Sequence, residues 1–129
     1  MAAIQRFEDL QVWMVSRELY CEIGKLIDAG ALGKNFRFIA QVESSCGSIM
    51  DNIAEGFERG TRREFIQFLG YSKGSCGELR SQLYRMLDRN LISNDLFEKY
   101  YSFATRISMM LQKLIAYLQK TKTPGTRAR

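Results

Sequence analysis

Residue types able to do covalent or acid–base chemistry are few in this 129-residue chain, and it contains no histidine. Without an imidazole there is no Ser-His-Asp or Cys-His nucleophile, no HExxH zinc motif and none of the common histidine proton shuttles. Carboxylates remain. Glu55 and Glu58 are three residues apart, and Glu43 and Asp51 are two helical turns apart. Acids at such spacing on a helix are ordinarily solvated or ion-paired with a neighbour. Cys21, Cys46 and Cys76 show no CxxC spacing and leave an odd thiol, so neither a zinc site nor a disulfide framework follows. The glycines form neither GxGxxG nor a P-loop pattern, and the run from Gly30 to Lys34 is too short to cradle phosphates. The expectation is a protein that is not an enzyme, with no catalytic residue, cofactor or metal.

Two features point to binding instead. Gln41, Ser45, Ser48, Asn52, Glu55 and Arg59 recur at intervals of three or four, which places them on one face of a helix. Such a stripe either pins helix register and subunit contacts or lines a shared groove. The second feature is a knot of cations, Arg59, Arg62 and Arg63, with Lys73, Arg80, Arg85 and Arg89 following. Arg62 and Arg63 fall in the first turn of a helix, where the macrodipole disfavours positive charge. Phosphates or the acids of a partner would offset that cost, and Arg59, Arg62, Arg63, Lys73 and Arg80 are the candidate nucleic-acid contacts. No helix-turn-helix, zinc-finger or RNA-recognition pattern accompanies them.

Four helices must position these groups, at about residues 8–29, 35–58, 62–89 and 94–119. The first is apolar around most of its circumference, so a second apolar contact is expected for it. In the second, Ile39, Val42, Cys46, Ile49, Met50, Ile53 and Phe57 form the core side, and Gly56 and Gly60 mark its end. Thr61 with Glu64 is a capping box that restarts the chain as the third helix. There Phe65, Phe68, Leu69, Ser72, Cys76, Leu79, Leu83, Met86 and Leu87 form the core stripe. Asn90 can end it. Ser93 caps the fourth helix, which turns Leu96, Tyr100, Phe103, Ile107, Met110, Leu111, Leu114 and Leu118 inward. Short turns between long helices give an all-α, up-down-up-down antiparallel four-helix bundle.

Gly70, Gly74, Gly77 and Ser81 form a stripe of small residues roughly opposite the third helix's core side. Each interior glycine costs about 1 kcal/mol relative to alanine, so a closely packed neighbour is expected there. An antiparallel pair turning at Gly60 puts Gly47 level with Gly74, and close helix packing or a subunit contact is expected at Gly47, Gly70, Gly74 and Gly77.

Composition bounds the rest. One domain spans 1–119, followed by a basic segment at 120–129 that is expected to be disordered. That segment holds four of the chain's 19 basic residues and no acid, which leaves 15 basic against 14 acidic residues before it. The body is therefore nearly neutral, and any basic surface on it must come from local clustering. The N-terminus lacks the apolar region of a signal peptide, and no run is long enough to span a membrane. A cytoplasmic protein is expected.

Particular blocks carry a family resemblance: Phe7-Glu-Asp-Leu-Gln-Val-Trp13; Gln41 with Ser48-Ile49 and Asn52-Ile-Ala-Glu-Gly56; Arg59-Gly-Thr61; Glu64-Phe65; Phe68-Leu69; Gly74-Ser75; and Glu78-Leu79. Over about residues 7–118 the chain resembles the 23S rRNA intervening-sequence protein family, four-helix-bundle proteins encoded in insertions within bacterial rRNA genes and elsewhere. That family is similar in turn to the accessory variability proteins of diversity-generating retroelements, basic pentameric barrels that bind nucleic acid and a reverse transcriptase. The resemblance implies a homo-pentamer with an unassigned or nucleic-acid-linked role. Its motif falls on Ser48, Asn52, Glu55, Gly56, Arg59, Thr61, Gly74, Ser75 and Glu78. This chain departs from the pattern at Cys46-Gly47 and Cys76-Gly77, and its body is less basic than such a barrel. Two roles remain: an oligomer that binds RNA or DNA without sequence readout, or an assembly scaffold or adaptor that contacts only protein.

Overall fold

The computed structural model describes residues 4–121. Four α-helices follow a single 3-10 turn at Phe7–Asp9: α1 (Gln11–Asp28), α2 (Phe36–Glu58), α3 (Arg62–Asp88) and α4 (Asn94–Lys120). Each helix packs on its neighbours in a ring, α1 on α2, α2 on α3, α3 on α4 and α4 on α1. Among the described residues the backbones of the diagonal pairs do not approach closely. This is the expected up-down bundle. The segment from 122 onward lies outside the described residues, while Lys120 closes α4.

The turns follow from local chemistry. Gly30, Gly33 and Gly60 take positive φ, a region that costs a Cβ-bearing residue, and Asn90 does so at φ 60. Thr61 and Ser93 are N-caps whose hydroxyls accept from the backbone N–H of Glu64 and Leu96, at 3.2 and 3.1 Å. Asn35 caps α2 by accepting from Phe38 N–H at 3.2 Å. α1 starts three residues later than its pattern predicts, because Phe7–Asp9 forms the separate turn. There Phe7 meets Trp13 edge-on, with ring centroids 5.2 Å apart.

The core runs the length of the bundle. Leu19, Val42, Ile53, Leu69, Leu79, Leu83, Ile107 and Leu111 are wholly buried, each side chain contributing about 1.5–3 kcal/mol. α4 is rotated relative to its expected stripe. Phe97, Ala104 and Ile115 join Tyr100, Ile107, Leu111 and Leu118 inside, while Leu96, Phe103, Met110 and Leu114 lie at the edge of the core. On α1 the extra apolar residues divide: Trp13, Tyr20 and Ile27 pack at the edge of the core, while Met14 and Cys21 stay exposed.

The α2–α3 register turns about Gly60 as expected, since Ser72 Oγ donates to the Ile49 carbonyl at 2.7 Å. Close helix packing at the small residues is not found within the chain. Nothing lies within 4 Å of a Cβ built on Gly70 or Gly74. Gly77 meets only Arg80 Nη2, and Gly47 only a ring atom of Tyr20, each at 3.6 Å. Gly47 and Gly74 share a level but face different directions. The close approach lies instead at Gly56, under Phe65 and Phe68.

Candidate nucleic-acid interface

The α2–α3 corner holds the first arginines. Arg59 turns back onto α3, with Nε and Nη2 at 2.9 and 2.8 Å from Glu64 Oε2. Its Nη1 stands 3.8 Å from Glu55, and its guanidinium lies over the Phe68 ring at 5.4 Å. Thr61 Oγ1 donates to the other Glu64 oxygen at 2.9 Å. The Arg59 and Thr61 hydrogen bonds hold the Glu64 carboxyl below its ordinary range. Arg59 is therefore an intramolecular clasp as well as a surface cation. Arg62 buries one guanidinium nitrogen, Nη1, without a hydrogen-bond partner, and Arg63 is exposed.

Along α3 the cations sort by face. Arg62 and Arg80 are 18 residues apart, five full turns, so they point the same way, and Lys73 lies about 20° from them. Their contacts agree. Lys73 Nζ donates to Gln112 Oε1 of α4 at 2.8 Å, and Arg80 lies over Tyr101 of α4 at 5.9 Å with its Nε buried and unpartnered. Arg85 turns the other way and covers Phe38 of α2 at 4.5 Å.

The polar stripe of α2 does not converge on these cations. Gln82 of α3 donates to Ser45 Oγ at 3.0 Å and to the Gln41 carbonyl at 3.4 Å, while Ser45 donates to the same carbonyl at 3.0 Å. Asn52 donates back to the Ser48 carbonyl of its own helix at 2.8 Å. Gln41 and Ser45 thus meet α3 on the flank away from α4, and Gln82 is a buried partner that the sequence pattern does not single out. Glu55 is exposed beside Arg59.

Charge is divided between the two hairpins. Residues 4–60 carry six basic and nine acidic side chains, whereas residues 61–121 carry ten and five. Part of that excess lies on α4, where Lys99, Arg106, Lys113 and Lys120 recur every seven residues. That spacing is readable from the sequence, although the arginines of the corner draw attention first. Lys99 is paired with Glu22 of α1 at 3.2 Å, which holds the Glu22 carboxyl below its ordinary range. Among the described residues no three His, Cys, Asp or Glu side chains gather to hold a metal, and no helix is long and apolar enough to cross a membrane.

The architecture and the motif blocks define an all-α bundle of a recognisable class. The chain belongs to the 23S rRNA-intervening sequence protein family, whose model matches residues 8–113. It is similar in structure to a protein of unknown function from the S23 ribosomal protein family of Bacteroides thetaiotaomicron. The two share 25% sequence identity at a TM-score of 0.76, over 85% of this chain and 99% of the other. No curated protein matches the chain.

Proposed function

We propose that this protein is a non-enzymatic homo-oligomer that binds nucleic acid without reading its sequence, using the α3–α4 hairpin. The observation that carries this reading is the division of charge: net −3 over residues 4–60 and net +5 over residues 61–121. A neutral average conceals a basic half, and a basic half is what a phosphate backbone recognises. Arg62, Arg63, Lys73 and Arg80 supply cations on α3, and Arg59 adds to them while holding the corner. The family's description refers to 23S rRNA and the structural neighbour's to a ribosomal protein family, which makes RNA the first ligand to try.

Filter binding of labelled RNA and DNA across a salt series tests the proposal. Retention at low salt that falls steeply with added salt is the expected result, because each neutralised phosphate releases a counterion. No retention at low salt would sink it. Repeating the assay without residues 122–129 separates binding by the bundle from binding by the terminal cations.

A second reading has its own observation. Gly70 and Gly74 are open, and Tyr71 and Tyr84 of the same helix are about half exposed. An assembly scaffold would use such a surface for protein contacts alone. A monomer at micromolar concentration in native mass spectrometry would count against both the scaffold and the oligomer.

A further inference from the structure

On α4, successive members of the Lys99, Arg106, Lys113 and Lys120 ladder are about 10.5 Å apart along the axis and drift by only about 20° per step. Glu98 is the last acid in the chain. Lys99 is engaged by Glu22, but Arg106, Lys113 and Lys120 are exposed and form no ion pair among the described residues. On the same outer face Met109 and Tyr117 are 58% and 57% exposed. A shallow groove of about 550 Å³ is lined by Tyr101, Thr105, Arg106, Met109 and Lys113, among others. Thr105 Oγ1, at its edge, is buried without a hydrogen-bond partner.

We propose that this outer face of α4 is a track for single-stranded nucleic acid, with the sugar-phosphate backbone along Arg106, Lys113 and Lys120 and a base stacked on Tyr117. The inference deepens the nucleic-acid reading and depends on it. Geometry favours a single strand over a duplex. From Arg106 to Lys120 the ladder runs nearly straight for about 21 Å. One strand of a duplex advances about 3.4 Å per base pair and turns once in about ten, so over that length it winds through more than half a turn and leaves the helix face. A flexible single strand can follow the ladder. Its unpaired bases also use an exposed ring and thioether, which the phosphate-lined exterior of a duplex does not.

The test is fluorescence anisotropy on the full chain, with a labelled 20-nucleotide oligouridine and a hairpin RNA duplex as probes. The variants are the triple Arg106→Gln/Lys113→Gln/Lys120→Gln, its charge-retaining counterpart Arg106→Lys/Lys113→Arg/Lys120→Arg, and Tyr117→Ala. The substituted side chains are exposed, and circular dichroism checks that each variant is folded. The expected results are tighter binding of the single strand, a salt slope about two units shallower in the glutamine triple, and rescue by the charge-retaining triple. Tyr117→Ala weakens single-strand binding roughly five- to a hundredfold and leaves the duplex unaffected.

Wild-type protein that binds the single strand while the glutamine triple keeps its affinity and slope overturns the track and leaves the nucleic-acid reading standing on α3. Equal binding of both probes, indifferent to Tyr117→Ala, also overturns it. A glutamine triple that changes the assembly's mass but not its RNA affinity assigns the face to subunit contact and overturns it. Binding of neither probe removes both readings.

Discussion

Gly56 lies directly beneath Phe68: a methyl group added to it would stand 2.6 Å from the Phe68 Cβ, with Phe65 Cδ1 at 3.2 Å. Phe68 cannot yield by rotating its side chain, because its Cβ is fixed to the α3 backbone. Alanine would gain about 1 kcal/mol of helix propensity against an overpacking cost of about 1–3 kcal/mol. Gly56→Ala is therefore expected to lower stability, read as a reduced urea midpoint at unchanged slope. A midpoint equal to or above wild type would show that the helices separate freely there.

The opposite substitution logic applies at Gly74, where a Cβ meets nothing within 4 Å. In an isolated protomer Gly74→Ala should gain about 1 kcal/mol. If the open face is a subunit contact, Gly74→Leu should reduce the mass seen by native mass spectrometry while helicity is kept. Unchanged mass with a higher melting temperature would mark the face as solvated.

Thiol labelling should be selective. Cys46 and Cys76 are buried, and burial pushes each thiol up to about 12, while Cys21 is exposed. The thiolate is the reacting species. One equivalent of iodoacetamide should react with the native protein near pH 8, mapping to Cys21, and three after denaturation. Prompt native labelling of Cys46 or Cys76 would contradict the packing of α2 against α3.

The Arg59–Glu64 clasp should show in the pH dependence of stability. The Glu64 carboxyl is held below its ordinary value of 4.5, first by Arg59 and then by Thr61, so the fold favours its ionised form. That contribution is present above the ordinary value and is lost as pH falls through the lowered one. Arg59→Gln should be less stable than wild type at pH 7, and the gap should close on acidification below 4.5. The Arg59 and Glu64 side chains are 47% and 33% exposed, so the gap is small, and high salt should narrow it too. A gap that is constant with pH would assign the effect to lost packing on Phe68.

Much of this is legible in the sequence alone. Thr61 with Glu64, Ser93 and the glycine turns mark where helices begin and end, because caps and positive φ are local properties. The α2–α3 register was readable because a tight turn leaves antiparallel helices only one way to align. Helix rotation was not. Gly47 and Gly74 are level, yet they face apart, and α4 presents Phe97, Ala104 and Ile115 to the core where Leu96, Phe103 and Leu114 fit the pattern nearly as well. Rotation depends on how adjacent helices share the core, which one helix's periodicity does not encode. Gln82 was hidden for the same reason. Its role exists only opposite Ser45 and Gln41, 37 and 41 residues away.

The corner at Gly60 also has a kinetic consequence. α2 has 23 residues and α3 has 27, and the most extensive pairing in the bundle joins them across a turn of only a few residues. Closing so short a loop forfeits little chain entropy, and the first contacts, Phe57 on Phe65 and Gly56 under Phe68, lie close in sequence. Folding is cheapest to nucleate at this corner and to extend outward toward Ser45 and Gln82. A Gly60→Val change, which strains a residue at φ 90, should then slow the refolding arm of a chevron more than it speeds the unfolding arm.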